Sequence, residues 1–228
     1  MKHLILSASI LFLPLLAENL RVYQYTGVRA QYTDKNAKNE KIHIEREIDP
    51  KCLDLAITNE MIWEGSYANP SVPKECKAMF VTSAGQVQPM KLHPDVETYG
   101  EMEVMKFIKT MQDRDDMLLI DTRMENWYRY RTIPGAVNIS HLDISKANLF
   151  PKAFQKALKT LGIIQKNGQY DFSNAKIIVL FCNGAWCSQS PKMIEHLLKL
   201  GYPAKKIKWY RGGMHDWLTL GMTSTRAK

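Results

Sequence analysis

The chain has no hydrophobic run long enough to span a bilayer. The apolar stretch from Leu4 to Leu16 stops at Glu18 and Asn19, short of the about 20 residues that a crossing helix needs. Metal-binding patterns are missing too. The six histidines never fall as two ligands on one helix face, and none adjoins a cysteine at zinc spacing, so no metal is expected. Basic residues outnumber acidic ones, 31 to 23, but they are scattered through residues 21–228 without interleaved aromatics or a recognised module. No nucleic-acid partner is therefore expected, and the surplus serves only a general attraction for small anions. There are no internal repeats and no low-complexity tract. With 45% hydrophobic and 24% charged residues, the composition excludes disorder and fits one ordinary core plus an accessory region.

What is present begins with Lys2 and His3 ahead of the apolar run, and with Ala17 as a small residue for cleavage. This is the pattern of a secretory signal peptide over residues 1–17. The expectation is an exported, periplasmic protein with no stable membrane insertion after cleavage. In that compartment disulfides persist, and the four cysteines fall into two pairs of different character. Cys52 and Cys76 lie among turn-forming residues, where a structural disulfide closing such a loop contributes about 3 kcal/mol. Cys182 and Cys187 flank a glycine directly after an apolar run and look chemical.

Residues 18–97 read as a small β-rich accessory region, disulfide-bridged. Leu20 to Tyr25 and Lys41 to Glu47 alternate like half-exposed strands around the polar loop Thr33 to Asn39, which predicts a hairpin. Pro50, Pro70 and Pro73 then argue against long regular elements. From Tyr99 onward, helix and strand patterns alternate. Val104, Met105, Ile108 and Met111 line a helix face, and Met117 to Ile120 is a short buried strand ending at Asp121. A helix opens at Pro151, carries Phe154, Leu158 and Leu161, and stops at Gly162. The run Ile177 to Phe181 suits a central parallel strand covered on both faces. Ser190 as cap and Pro191 in first position predict a helix with Ile194, Leu197 and Leu198 inward, ended by Gly201. Ile207 to Tyr210 is a further strand, and Gly212 and Gly213 lead into a helix holding Trp217. Alternation of this kind predicts an α/β layer fold with a mostly parallel central sheet over residues 98–228.

In such a sheet, ligands bind beyond the carboxyl ends of the strands, and Cys182 is the residue at that position. The loop Asn183, Gly184, Ala185, Trp186, Cys187, Ser188 has to curl back to reach the next helix. Its backbone amides and the helix start form a field that favours negative charge. The same field is expected to lower the pKa of the Cys182 thiol and so raise its thiolate fraction.

Three stretches resemble the rhodanese family: LLIDTRMENWYRYRTIPGAVNIS (118–140), FCNGAWCSQS (181–190) and IKWYRGGMHDW (207–217). They resemble its Asp-x-Arg and Ile-Pro-Gly-Ala-x-Asn motifs, its active-site loop and its closing Gly-Gly-x-x-x-Trp. The resemblance covers roughly residues 98–222. It implies a rhodanese-like three-layer α/β fold and a sulfurtransferase activity. Cys182 would take a sulfane sulfur from a small sulfur anion such as thiosulfate, or from a persulfide donor, and pass it to cyanide or a thiol acceptor. It implies no cofactor. The backbone of Asn183 to Ser188 would cradle the persulfide, and Asp121 and Arg123 would brace the neighbouring loop. One position departs from the pattern. Many members carry Arg or Thr five residues after the nucleophile to hold an anionic substrate, and this chain has Cys187, leaving Arg123, Lys192 and Arg211 as candidate cations.

Other readings stand beside this one. Cys187 as a resolving thiol would make the protein a thiol-disulfide redox protein working through a Cys182 to Cys187 bridge. A non-catalytic sulfur-carrier or binding module would use the accessory region for docking. A purely structural Cys182 to Cys187 disulfide, and a purely structural Asp121–Arg123 ion pair, are the plainest alternatives. Trp209 and Trp217 read as core, and Trp186 as either the mouth of a pocket or a loop aromatic packed on a neighbour. A cysteine phosphatase on the related fold is disfavoured, because its Arg six residues after the nucleophile is here Ser188, which cannot grip phosphate bidentately.

Overall fold

The computed structural model describes residues 26–45 and 88–226. The signal-peptide segment and the Cys52 and Cys76 pair lie outside the described residues. No helix among the described residues is long and apolar enough to cross a membrane.

Five strands form an all-parallel central sheet in the order β3-β9-β8-β4-β5. They are β3 (Glu97–Tyr99), β4 (Met117–Asp121), β5 (Val137–Asn138), β8 (Ile177–Phe181) and β9 (Ile207–Tyr210). In β8, alternate side chains go to opposite faces, as the pleat requires. Val179 and Phe181 join one core with α1 (Glu101–Met111) and α6 (Gly213–Thr219). Ile178 and Leu180 join a second core with α4 (Pro151–Thr160) and α5 (Gln189–Leu200). Helices on both faces explain why β8 is apolar throughout. Trp217 and Trp209 are buried, one in each core, and the Trp217 Nε1–H is satisfied by the Thr223 carbonyl at 2.7 Å. The short helices α2 (Glu125–Tyr130) and α3 (His141–Ser145) complete the path from β4 to α4.

The hairpin before the sheet differs from the sequence expectation. Its strands are β1 (Val28–Thr33) and β2 (Asn39–Ile44), paired antiparallel with Thr33 opposite Asn39. Leu20 to Tyr25 lies outside the described residues, and the partner of β2 is the following alternation, Val28 and Ala30 inward with Arg29 and Gln31 outward. A small Ala at an inward position weakens that signal. Asp34 makes the turn tight, accepting from the Asn36 and Lys38 amides at 2.9 and 2.8 Å. The hairpin shares the first core through Val28, Ala30 and Ile44. It is tied to the end of the domain where the Thr223 amide donates to the Glu45 carbonyl at 2.8 Å.

A second hairpin was not anticipated: β6 (Ile164–Lys166) and β7 (Gln169–Asp171) join through Asn167 and Gly168. Both have positive φ, 53° and 77°. An Asn-Gly pair is the usual choice for such a two-residue loop, so the signal was in the sequence.

Candidate active site

Strand β8 delivers Cys182 to the carboxyl end of the sheet, and the following loop is held from two sides. The start of α6 clamps its beginning: Met214 donates its amide to the Cys182 carbonyl at 2.9 Å, and His215 to the Asn183 carbonyl at 2.8 Å. This approach needs Gly213, which has φ +56°, and a Cβ there would sit 2.4 Å from the Cys182 carbonyl oxygen. Further on, the Cys187 amide donates to the Gly184 carbonyl at 2.9 Å, folding residue 187 back toward the loop's beginning. Gly184 is buried under Trp186 and His215; an added Cβ would meet Trp186 Nε1 at 2.9 Å and His215 Cβ at 3.1 Å. Ser188 caps α5, and its carbonyl accepts from the Lys192 amide at 3.0 Å.

The two cysteines are both free thiols and both buried, Cys182 at 2% exposure and Cys187 at 7%. The hydrogen bond between the two residues runs from the Cys182 thiol to the Cys187 carbonyl oxygen, at 3.5 Å. Burial pushes the Cys182 thiol well above its usual pKa, and the neighbouring Cys187 adds to the rise; hydrogen bonds from Ser190 oppose it. Cys187 moves the other way, to about 7. The neighbouring Cys182 thiol lowers it most, the Gln189 and Asn183 amides stabilise its anion, and Arg123 contributes charge, while burial opposes. The sequence reading put the depressed thiol at Cys182, and the structure puts it at Cys187. The loop's field is present, but it converges one turn later, and complete burial decides the state of Cys182.

The loop after β4 is the brace. Asp121 and Arg123 are a buried ion pair, 0% and 4% exposed at the side chains. Arg123 Nε donates to Asp121 Oδ1 at 2.9 Å and Nη2 to Oδ2 at 2.7 Å. Thr132 Oγ1 donates to Asp121 Oδ2 at 2.8 Å, and Arg123 Nη1 reaches Asn183 Oδ1 at 3.2 Å. Through that last contact the brace touches the cysteine loop. Arg211 is also engaged, donating through Nε and Nη2 to the Gln88 carbonyl at 3.1 and 2.8 Å. Gln88 in turn donates its amide to the Ala185 carbonyl at 2.7 Å, so the residues ahead of β3 strap the loop. Lys192 is exposed and lines a groove with Gln88, Ser188 and Glu195.

Ser190 is not a cap. It lies in the first turn of α5, fully buried, accepting from Thr122 Oγ1 at 3.2 Å. The signal was available: Ser190, Met193, Ile194 and Leu197 are all buried and follow the i, i+3, i+4, i+7 spacing of an inward face. Nothing in the sequence marked Gln88 or His215. Trp186 Nε1 and Gln189 Oε1 are buried without a hydrogen-bond partner, so the loop keeps one unused donor and one unused acceptor. No group of three or more His, Cys, Asp or Glu among the described residues is placed to hold a metal ion.

The family model of the rhodanese-like domain matches residues 105–220, half of the chain and all three motif stretches. The chain belongs to the rhodanese-like domain family. Among solved structures, a Bacillus halodurans protein is 21% identical, with TM-score 0.38, over 56% of this chain and 80% of its own. A human single-domain sulfurtransferase is 22% identical, with TM-score 0.36, over 54% and 96%. An E. coli rhodanese determined with anions is 20% identical, with TM-score 0.27, over 49% and 99%. The comparison with curated proteins gives no match. In this rhodanese-like domain, the loop of Asn183 to Ser188 and the Asp121–Arg123 brace stand next to one another at the carboxyl end of the sheet.

Proposed function

We propose that the protein is a sulfurtransferase that carries sulfane sulfur as a persulfide on Cys182. The observation that supports this best is the strand-end Cys182 thiol, free and hydrogen-bonded to the backbone of Cys187, a second free thiol with a pKa of about 7. Near neutral pH the pair holds one negative charge, resting on Cys187. Moving the shared proton from Cys182 to Cys187 yields the Cys182 thiolate without a separate base. That thiolate attacks the sulfane sulfur of a donor, whose leaving group departs, and the outer sulfur is later taken by a thiol or cyanide.

The cations bear on donor choice. Arg123 and Arg211 are occupied by Asp121 and by the Gln88 carbonyl. A polysulfide or persulfide, which carries no sulfonate to be gripped, suits the site better than thiosulfate. A donor reaches so buried a sulfur only when loop 183–188 moves, against the contacts of Gln88 with Ala185 and of His215 with Asn183.

The test is steady-state thiocyanate formation from cyanide with polysulfide or thiosulfate as donor. With both thiols kept reduced, multiple turnover is expected, faster with polysulfide, and lost in Cys182→Ser. A single stoichiometric transfer with no turnover would favour a sulfur carrier instead. Export to the periplasm belongs to the same proposal and rests on residues 1–17; cell fractionation that finds the full-length chain in the cytoplasm contradicts it.

A further inference from the structure

We propose that Cys187 is an internal acceptor for the loaded site, making the protein a persulfide reductase that releases hydrosulfide. The proposal rests on the sulfur-transfer reading above. Cys187, left protonated by the loading step, gives its proton to the outer sulfur; its thiolate attacks Cys182 Sγ, the bond from Cys182 Sγ to the outer sulfur breaks, and that sulfur leaves with the bonding electron pair as HS⁻. A Cys182–Cys187 disulfide remains. The outer sulfur is reduced by two electrons, and the two cysteine sulfurs together are oxidised by two. An external dithiol then reduces the disulfide, itself becoming a disulfide, and returns both thiols.

Three observations carry this. The turn closed by the Cys187 amide on the Gly184 carbonyl brings residue 187 back to residue 182, and the Cys182 thiol donates to the Cys187 carbonyl at 3.5 Å. The two cysteines are therefore adjacent before any sulfur is loaded. The position is also free for this task, since Cys187 is unbridged and bears no load in the brace or in either core cluster. The third is the choice of leaving group. Attack on the outer sulfur would expel the Cys182 thiolate, which burial makes strongly basic. Attack on the inner sulfur expels the weakly basic hydrosulfide, and the less basic group leaves faster. The buried pair thus favours reduction over passing the outer sulfur to Cys187.

The full-length protein is loaded with inorganic polysulfide under anaerobic conditions, desalted, and followed by intact mass, released sulfide and peptide mapping. Wild type is expected to release one equivalent of sulfide and to end with Cys182 and Cys187 joined. Cys187→Ala, loading more slowly, is expected to retain one extra sulfur on Cys182 and to release none until an external thiol is added. A wild-type adduct as persistent as that of Cys187→Ala overturns the proposal, as does extra sulfur mapped to Cys187. If neither protein takes up sulfur on Cys182, the sulfurtransferase reading fails as well. The wild-type mapping decides the matter without any variant.

Discussion

Strands β4 and β8 end side by side, with Asp121 opposite Phe181, yet the loops that leave them are built in opposite ways. After β4, the polar groups satisfy one another: carboxylate to guanidinium, hydroxyl to carboxylate, guanidinium to the Arg131 carbonyl. After β8, two free thiols stand together, Cys182 donating to the Cys187 carbonyl, and two further polar atoms have no partner. Unmatched groups in a buried loop cost stability, and sites of chemistry are where such costs recur. One strand end is thus a rigid wall and the other a reactive floor, joined by the contact between Arg123 and Asn183.

The contrast predicts that substitutions at the wall act on stability and those at the floor on reactivity. The largest stability loss belongs to Asp121→Ala, which leaves the Arg123 cation buried without its counter-charge; denaturant unfolding should show about 3–5 kcal/mol of destabilisation. Next is Gly213→Ala, where the positive φ and the 2.4 Å approach to the Cys182 carbonyl cost about 1–3 kcal/mol. Because that clamp positions Cys182, sulfur loading should fall in step. Ser190→Ala removes the bond to Thr122, at about 1 kcal/mol, and a hydrogen bond that favours the Cys182 thiolate. Its signature is a slower Cys182 alkylation that outlasts correction for stability. If Ser190→Ala changes unfolding alone, the floor has been drawn too wide.

The smallest effect on stability and the most specific to the chemistry is a pH profile. Cys187 titrates at about 7, so its thiolate and its alkylation rate rise as pH increases through that value. In Cys187→Ala only the buried Cys182 remains of the loop pair, and the onset of its alkylation should move to higher pH. An unchanged onset would show that the two thiols do not share their proton.

Much of this arrangement was legible in the residues. Ile177 to Phe181 and Ile207 to Tyr210 are strands at the bounds that continuous apolar runs imply, and Pro151 opens α4 with Phe154 and Leu158 buried. The loop cysteines and the Asp121–Arg123 pair were legible through motif and spacing. Other features depend on three-dimensional neighbours. The charge preference of the pair turned on burial of Cys182, which no local pattern encodes. Ser190 satisfied two local rules, helix capping and inward spacing, and packing against Thr122 favoured the second. The partner of β2 was misplaced because two successive stretches alternate, and only contact with the first core selects Val28 to Thr33.

The proposed chemistry depends on the buried Cys182 Sγ being the atom that holds transferred sulfur. The most direct measurement is peptide mapping of Cys187→Ala after exposure to polysulfide, with sulfide release blocked by removal of the second thiol. The prediction is one additional sulfur on the peptide that carries Cys182, removable by cyanide. A peptide of unaltered mass, in protein shown to be folded, would contradict it.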